Sequence, residues 1–185
     1  MAGIVWLLQF ARNALPPFAD LTLSFDGDVA LHLLLGDLMI AQGGWLPTEP
    51  TNAVMEGQPF IAHEWLAEVI LALSHRLFGL AGPTLLAALI VATLGVQMLR
   101  KAQRDGAGTW PAVITLVAAL MVQNSHLHPR PHLVTWWFGF LFVAWCDDLR
   151  TERLTPRAWF LRSAALVVLW AQLHAGFLVI APVLL

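Results

Sequence analysis

Two carboxylates close together could give the chain its first chemically useful site. Asp26 and Asp28 flank a single glycine, so they could bind a divalent cation, or one could be a base whose pKa the other tunes. An acidic turn that caps a helix beginning near Val29 explains the same residues without any chemistry. The spacing therefore leaves a catalytic pair, a metal site at Asp26 and Asp28, and a helix cap all open.

A second polar pair, His63 and Glu64, is followed one helical turn later by Glu68. Histidine beside a carboxylate at the start of a helix can bind a metal ion or phosphate, or transfer protons. Glu64 and Glu68 are four residues apart and would share one face of that helix. Helix capping and solvent exposure are the alternative explanation.

A third segment alternates histidine and arginine with other residues, two of them proline: His126, His128, Pro129, Arg130, Pro131 and His132. Extended conformations before proline would point the alternate side chains the same way. The guanidinium of Arg130 offers a fork suited to phosphate. The segment predicts a phosphate-binding loop, with a loop that anchors lipid headgroups as the alternative. Zinc is less favoured, because the spacing fixes no tetrahedral ligand set.

A fourth feature is a polar pair, Gln172 and His174, inside an apolar run that continues to Leu185. Polar groups in membrane helices face the bundle interior or a water-filled cavity, or form interhelical hydrogen bonds. Both explanations stay open for His174, which could also contribute to phosphate binding.

The elements that position these residues must be largely buried in lipid or protein. Of 185 residues, 58% are hydrophobic and 12% charged, with a mean hydropathy of +0.70, whereas ordinary domains carry about 25% charged residues. The net charge of −2 argues against nucleic acid as a partner. Cys146 is the single cysteine, so no intrachain disulfide forms. The lipid bilayer is the expected partner.

We predict an all-α fold: a polytopic transmembrane helical bundle with an external loop that carries surface-lying amphipathic helices. The organisation is an abbreviated first membrane helix at 1–19, the acidic external loop at 20–78 and the transmembrane bundle at 79–185. Spans are expected near 79–99, 109–124, 133–147 and 158–180. Because the chain stops inside the last apolar run, we expect it to be an N-terminal piece of a longer protein.

Basic residues predict which ends of the spans face the cytoplasm. Arg100, Lys101 and Arg104 follow the first of these spans, and Arg150, Arg153 and Arg157 follow the third. Short cytoplasmic loops carry the Lys/Arg excess, so both loops should be cytoplasmic. The acidic loop, the His126–His132 segment and His174 should then lie together on the external side.

These motifs resemble the GT-C superfamily of polytopic membrane glycosyltransferases, and in particular bacterial membrane proteins of that design. The residues that carry the resemblance are Asp26-x-Asp28, His32-Leu33, Gly36, Gly44, Pro47, Gly57-Gln58-Pro59, His63-Glu64-Trp65-Leu66, Arg130-Pro131-His132 and Trp170-x-x-x-His174-x-Gly176. Members of the superfamily use polyprenyl-phosphate-linked sugars and place an early acidic residue of the first external loop at the reaction centre.

The resemblance implies that Asp26 or Asp28 is the base, that His63 and Glu64 form a second catalytic cluster, and that Arg130 holds the phosphate. Neighbouring histidines would support it: His126, His128, His132 and His174. We expect transfer of a sugar from a polyprenyl phosphate at the periplasmic or outer face of a bacterial inner membrane, with a divalent cation as the expected cofactor if one is used. The alternative is a non-enzymatic transporter, channel or assembly subunit.

Overall fold

A computed structural model describes residues 27–122 and 126–183, with side chains described as far as residue 179. Asp26 and the membrane helix expected at 1–19 lie outside the described residues.

Within the described ranges the regular structure is helical, so the all-α prediction is confirmed at that level. Strand-like pairing in this part of the chain is limited to an isolated antiparallel bridge between Thr48 and Pro59. The α-helices are α1 (Gly27–Gln42), α2 (Trp65–Phe78), α3 (Ala81–Arg104), α4 (Thr109–Val122), α5 (His132–Arg150) and α6 (Pro156–Leu173). Short 3-10 helices cover Ala53–Met55 and Ala175–Val183.

The α1 helix packs against α2, and a glycine allows the close approach. A Cβ atom on Gly36 would lie 2.1 Å from the backbone oxygen of Glu68 and 2.8 Å from the Cβ of Ala72. Any side chain at this position would push the helices apart. Beside this contact, apolar residues of α1 and the following loop pack together: Leu35, Met39, Leu46 and Ala62.

The largest described core lies where α2, α5 and α6 meet. Trp170 of α6 is fully buried there and packs edge-on against Phe138 of α5, with ring centroids 6.0 Å apart. Helix α3 packs on α2 and α5 and carries α4 on its other side. Helices α5 and α6 are therefore fixed to each other by large aromatic side chains.

The last predicted span is shorter as an α-helix than the sequence indicated. We expected a helix through 158–180 with His174 well inside it, but α6 ends at Leu173. His174 has extended backbone, with φ −167° and ψ 141°, and its N–H donates to the carbonyl of Trp170. The helix prediction at His174 was wrong because this residue leaves the helix to bond with α5, as described below.

By length and composition, one helix of the described chain, α3, suffices to cross a membrane. It has 24 residues, about 36 Å at the α-helical rise. Helix α4 is apolar but shorter. The number of membrane crossings therefore stays a prediction.

Ion pairs join the ends of α3 and α5 and the turn after each. Lys101 pairs with Asp105 and, at 2.6 Å, with Asp147. Arg104 lies 2.6 Å from Asp148, and Arg153 lies 2.7 Å from Asp105. We call these residues, with Arg150, the ionic cluster. The two loops that were predicted to share one side are thus in direct contact.

Candidate functional site

At the opposite ends of α5 and α6 from the ionic cluster, polar side chains surround a cavity of about 350 Å³. We call it the polar cavity, and its lining residues are Asp28, His32, Glu64, His126, Arg130, Pro131, His132 and His174. Six of these were predicted site residues: Asp28, Glu64, Arg130, His126, His132 and His174. Helix α1, the residue before α2, the start of α5 with the loop before it, and the residue after α6 bring them together from distant parts of the sequence.

Glu64 stands at the meeting point of the imidazoles. Its Oε1 lies 3.5 Å from Nε2 of His174 and 3.8 Å from Nε2 of His63, and its Oε2 lies 3.8 Å from Nε2 of His32. The side chain is only 12% exposed. Burial raises the pKa of Glu64, while His32 and His63 act in the opposite direction and Glu68 adds to the increase.

His32 was quoted for the resemblance but was not predicted as a site residue, and its partner Glu68 was missed as well. Nδ1 of His32 lies 3.4 Å from Oε1 of Glu68, a carboxylate with 5% side-chain exposure. One imidazole therefore lies between two carboxylates, Glu64 and Glu68. The sequence signal was the four-residue spacing of Glu64 and Glu68 on one helix face, opposite a histidine in an apolar helix.

Asp28 lies in the first turn of α1, where a carboxylate is favoured by the helix dipole. Its Oδ2 is 2.8 Å from Nη1 of Arg130, and its side chain is 61% exposed, against 33% for Arg130. The more exposed carboxylate of the cavity is thus held by a guanidinium, and the half-buried carboxylate of Glu64 is held by imidazoles.

The His126–His132 segment turns instead of extending, so that part of the prediction was wrong. The N–H of Arg130 donates to the carbonyl of His128 at 2.8 Å, and the carbonyl of Arg130 accepts from Leu133 as α5 begins. His132 and His126 line the polar cavity, and a ring nitrogen of His132 is 2.8 Å from the carbonyl oxygen of His126. His128, which is half-buried, is not a lining residue.

His63, one of the predicted catalytic residues, is not a lining residue of the cavity either. Its side chain is 69% exposed, and its Nε2 lies 3.8 Å from Oε1 of Glu64. Of the predicted pair His63 and Glu64, the carboxylate lies in the cavity and the imidazole lies at its edge.

The two polar residues at the end of α6 have different surroundings. Gln172 accepts a hydrogen bond from Nε1 of Trp65 at 2.9 Å, which is the interhelical bond considered for this pair. His174 lines the polar cavity, and its Nδ1 lies 2.7 Å from the hydroxyl of Thr135 on α5. Thr135 was not predicted; its position one helical turn after His132, on the same face of α5, was the available signal.

No protein-family model matches this chain, and the searches of curated proteins and of solved structures gave no significant match. Membership of the GT-C superfamily therefore stays a prediction that rests on the short motifs quoted above.

Among the described residues, no three His, Cys, Asp or Glu side chains are arranged to hold a metal ion, and Asp28 faces the guanidinium of Arg130. Asp26, the other ligand of the predicted metal site, lies outside the described residues. The divalent cation at Asp26 and Asp28 therefore stays a prediction.

Next to the polar cavity is an apolar one of about 310 Å³ between α2, α3, α5 and α6. We call it the apolar cavity. Its walls are largely aliphatic and aromatic, including Leu66, Ile70, Leu86, Ile90, Trp137 and Phe138. Arg130 and Pro131 line both cavities. Arg130 therefore stands at the junction between a polar and an apolar space, with its guanidinium beside Asp28.

Proposed function

We propose that the intact protein is a polytopic membrane enzyme of the GT-C type, which transfers a sugar from a polyprenyl phosphate to an acceptor at the external membrane face. The observation that carries this proposal is Arg130, which lines the polar and the apolar cavity together. A lipid phosphate has the matching two-part chemistry. Its phosphate suits a guanidinium, and its hydrocarbon chain suits aliphatic walls.

The outer surfaces of the helices support a lipid environment. Large apolar side chains are exposed on helices that carry few charges, and α4 alone exposes Trp110, Ile114, Val117, Met121 and Val122. Exposed apolar surface of this extent marks a membrane or protein contact. Several crossings by these helices would account for it.

The two polar ends of the bundle support the sidedness. Helix α5 runs from His132 at the polar cavity to Arg150 in the ionic cluster, 19 residues or about 28 Å. The Lys/Arg excess belongs to the ionic cluster end, which supports a cytoplasmic position for that end. The polar cavity then opens to the periplasm or exterior.

In this reaction a carboxylate of the polar cavity removes the proton of the acceptor hydroxyl. The acceptor oxygen forms its bond to the anomeric carbon as the bond from that carbon to the phosphate oxygen breaks. The phosphate leaves with the electron pair, and Arg130, with His126 and His132 beside it, stabilises the negative charge.

Binding of a polyprenyl phosphate to the full-length protein in detergent tests the proposal. Arg130→Gln should weaken binding at least tenfold, because it removes a charge-assisted bond to phosphate. Arg153→Gln removes an arginine from the ionic cluster and is the matched control, with binding unchanged. The uncharged polyprenol and inorganic phosphate should each bind more weakly than the lipid phosphate.

Equal loss of binding in both arginine variants would contradict the role of the cavity junction. Tight binding without sugar transfer, measured with a set of polyprenyl-phosphate sugars, would instead favour the non-enzymatic alternative, a membrane protein that binds but does not turn over its ligand.

A further inference from the structure

The position of His174 just beyond α6 lets its ring bond to both α5 and the following 3-10 helix. The backbone N–H of Gly176 donates to Nδ1 of His174 at 2.8 Å. A backbone N–H can only donate, so Nδ1 carries no proton. The neutral ring therefore has its proton on Nε2.

A second hydrogen bond at Nδ1 has its direction fixed as well. The indole N–H of Trp170, which can only donate, is 2.9 Å from Oγ1 of Thr135. Oγ1 therefore accepts from Trp170. Because Nδ1 of His174 carries no proton, the 2.7 Å contact between Oγ1 and Nδ1 is a bond that the hydroxyl donates, and it shares the single lone pair of Nδ1 with the N–H of Gly176.

The packing around these hydrogen bonds leaves the imidazole little freedom. Trp170 is fully buried. A Cβ on Gly176 would lie 2.2 Å from Oγ1 of Thr135 and 2.6 Å from Nδ1 of His174. Gly176 is thus the residue type that allows the backbone donor to come so close to both groups.

The fixed ring presents its Nε2–H to the polar cavity, 3.5 Å from Oε1 of Glu64. Because this nitrogen already holds its proton, His174 is a donor toward Glu64 and cannot take a proton from a substrate there. His32, by contrast, lies between Glu64 and Glu68 and has no comparable backbone donor described on its ring.

We propose that Glu64, and not Asp28, is the carboxylate that accepts the proton of the acceptor hydroxyl, and that Thr135 and Gly176 are positioning residues that hold His174 as a donor to it. This inference rests on the proposed function and names its base. The proton moves from the acceptor oxygen to Glu64, and bond formation and phosphate departure proceed as described above. His32 then carries the proton from Glu64 toward Glu68 or solvent.

The charged and titratable groups around Glu64 agree with this assignment. His32 faces it from α1, His174 from the end of α6, and His63 and Glu68 from its own part of the chain. No guanidinium or ammonium lies within ion-pair distance of Glu64 in the described chain. Oδ2 of Asp28, by contrast, lies 2.8 Å from Nη1 of Arg130, so this carboxylate is already engaged by the guanidinium assigned to the phosphate.

Two carboxylate variants of the full-length protein in lipid decide between the bases. Glu64→Gln should lower the turnover number by roughly 10²- to 10⁴-fold, the contribution of a general base, with the lipid phosphate still bound. Asp28→Asn removes the carboxylate that faces Arg130, so it should raise the KM for the lipid phosphate and lower the turnover number much less than Glu64→Gln does. Loss of turnover in Asp28→Asn with full turnover in Glu64→Gln would overturn the assignment.

The positioning role is tested at Thr135. Thr135→Val removes the hydroxyl at nearly constant shape and should lower turnover by about ten- to a hundredfold, as for outer partners that orient a histidine, with KM little changed. Thr135→Ser keeps the hydroxyl and should restore turnover. Loss in both variants, or in neither, contradicts the positioning role.

Nitrogen-15 NMR of the wild-type protein gives a readout that needs neither turnover nor a folded variant. The His174 ring should show a bare Nδ1 and a protonated Nε2, and a protonated Nδ1 in the neutral ring would overturn the inference. Transfer that survives Glu64→Gln removes only this inference, whereas a wild-type protein that transfers no sugar removes the proposed function itself.

Discussion

The polar cavity and the ionic cluster both contain carboxylates, but their partners differ. In the ionic cluster Asp105, Asp147 and Asp148 face lysine or arginine. In the polar cavity Asp28 faces Arg130, but Glu64 faces imidazoles, and so does Glu68 beside it. Lysine and arginine stay charged at any physiological pH, whereas imidazoles change charge. One end of the bundle is therefore suited to a constant charge pattern, and the other to proton transfer.

The two regions also move carboxyl pKa values in opposite directions. Hydrogen bonds from Lys101 and Arg153 hold the pKa of Asp105 below its ordinary value, because they favour the ionised form. Burial raises the pKa of Glu64, because it disfavours the charge. The same functional group is thus kept ionised at one end and brought toward proton uptake at the other.

The largest effect on this comparison is expected from Gly36→Ala. The new Cβ would meet the backbone of Glu68 at 2.1 Å, so α1 must move away from α2 and separate His32 from its carboxylates. We expect a loss of about 1–3 kcal/mol or more in the free energy of unfolding, measured by denaturation in mild detergent.

Gly44→Ala is the matched control for Gly36→Ala, because nothing lies within 4 Å of a Cβ at Gly44. It should change the free energy of unfolding by less than about 0.5 kcal/mol. Similar losses in the two variants would show that the close approach of α1 and α2 does not support the cavity.

The second largest effect is expected from lowering the pH, to which the polar cavity and the ionic cluster should respond differently. The base must be ionised, so turnover should fall as the pH drops through the raised pKa of Glu64, above the ordinary 4.5, by up to about tenfold per pH unit. Protonation of Glu64 favours the folded state, because the folded pKa is the higher one. The fold should persist in this window.

Asp105 behaves in the opposite way. Its folded pKa is depressed, so its stabilising contribution is present above the ordinary 3.8 and is lost only as the pH falls through the lower folded value. Carbon-13 NMR of the carboxyl groups measures both titrations. If Asp105 took up its proton at a higher pH than Glu64, the contrast between the regions would be wrong.

The smallest effect is expected in the ionic cluster itself. Arg153→Gln removes an exposed ion pair with Asp105, and such pairs contribute about 0–1 kcal/mol. The free energy of unfolding should fall by less than about 1 kcal/mol, and less at high salt. A loss comparable with that of Gly36→Ala would mean that the ionic cluster contributes as much to the stability of the bundle as the contact between α1 and α2.

Much of this arrangement could be predicted from patterns along the sequence: uncharged runs, the distribution of basic residues and the spacing of carboxylates. Long uncharged runs indicated α3 and α5, and the distribution of basic residues grouped the cavity residues at one end, where six of the predicted side chains line one cavity. Local spacing also put Glu64 and Glu68 on one face.

What the sequence did not predict depends on tertiary contacts. The end of α6 at Leu173 has no helix-breaking residue at His174; Thr135 and Gly176 hold that imidazole outside the helix. The segment turns at Arg130 because α5 begins just after it. The preference of residues before proline for extended backbone predicted a different conformation there. The pairing of Asp28 with Arg130 joins residues a hundred positions apart.

The contact of His32 with Glu64, at the N-cap of α2, and with Glu68, one turn further on, also fixes how α1 and α2 align along each other. A displacement of one turn, about 5.4 Å, would take the imidazole away from one of these carboxylates and bring Leu33 or Met39 toward the backbone that Gly36 now meets. A helix contact made only of apolar side chains would tolerate such a displacement. Here the side chains assigned to proton transfer also set the alignment of the two helices. A substitution that changes the reactive centre must therefore also change how α1 and α2 align.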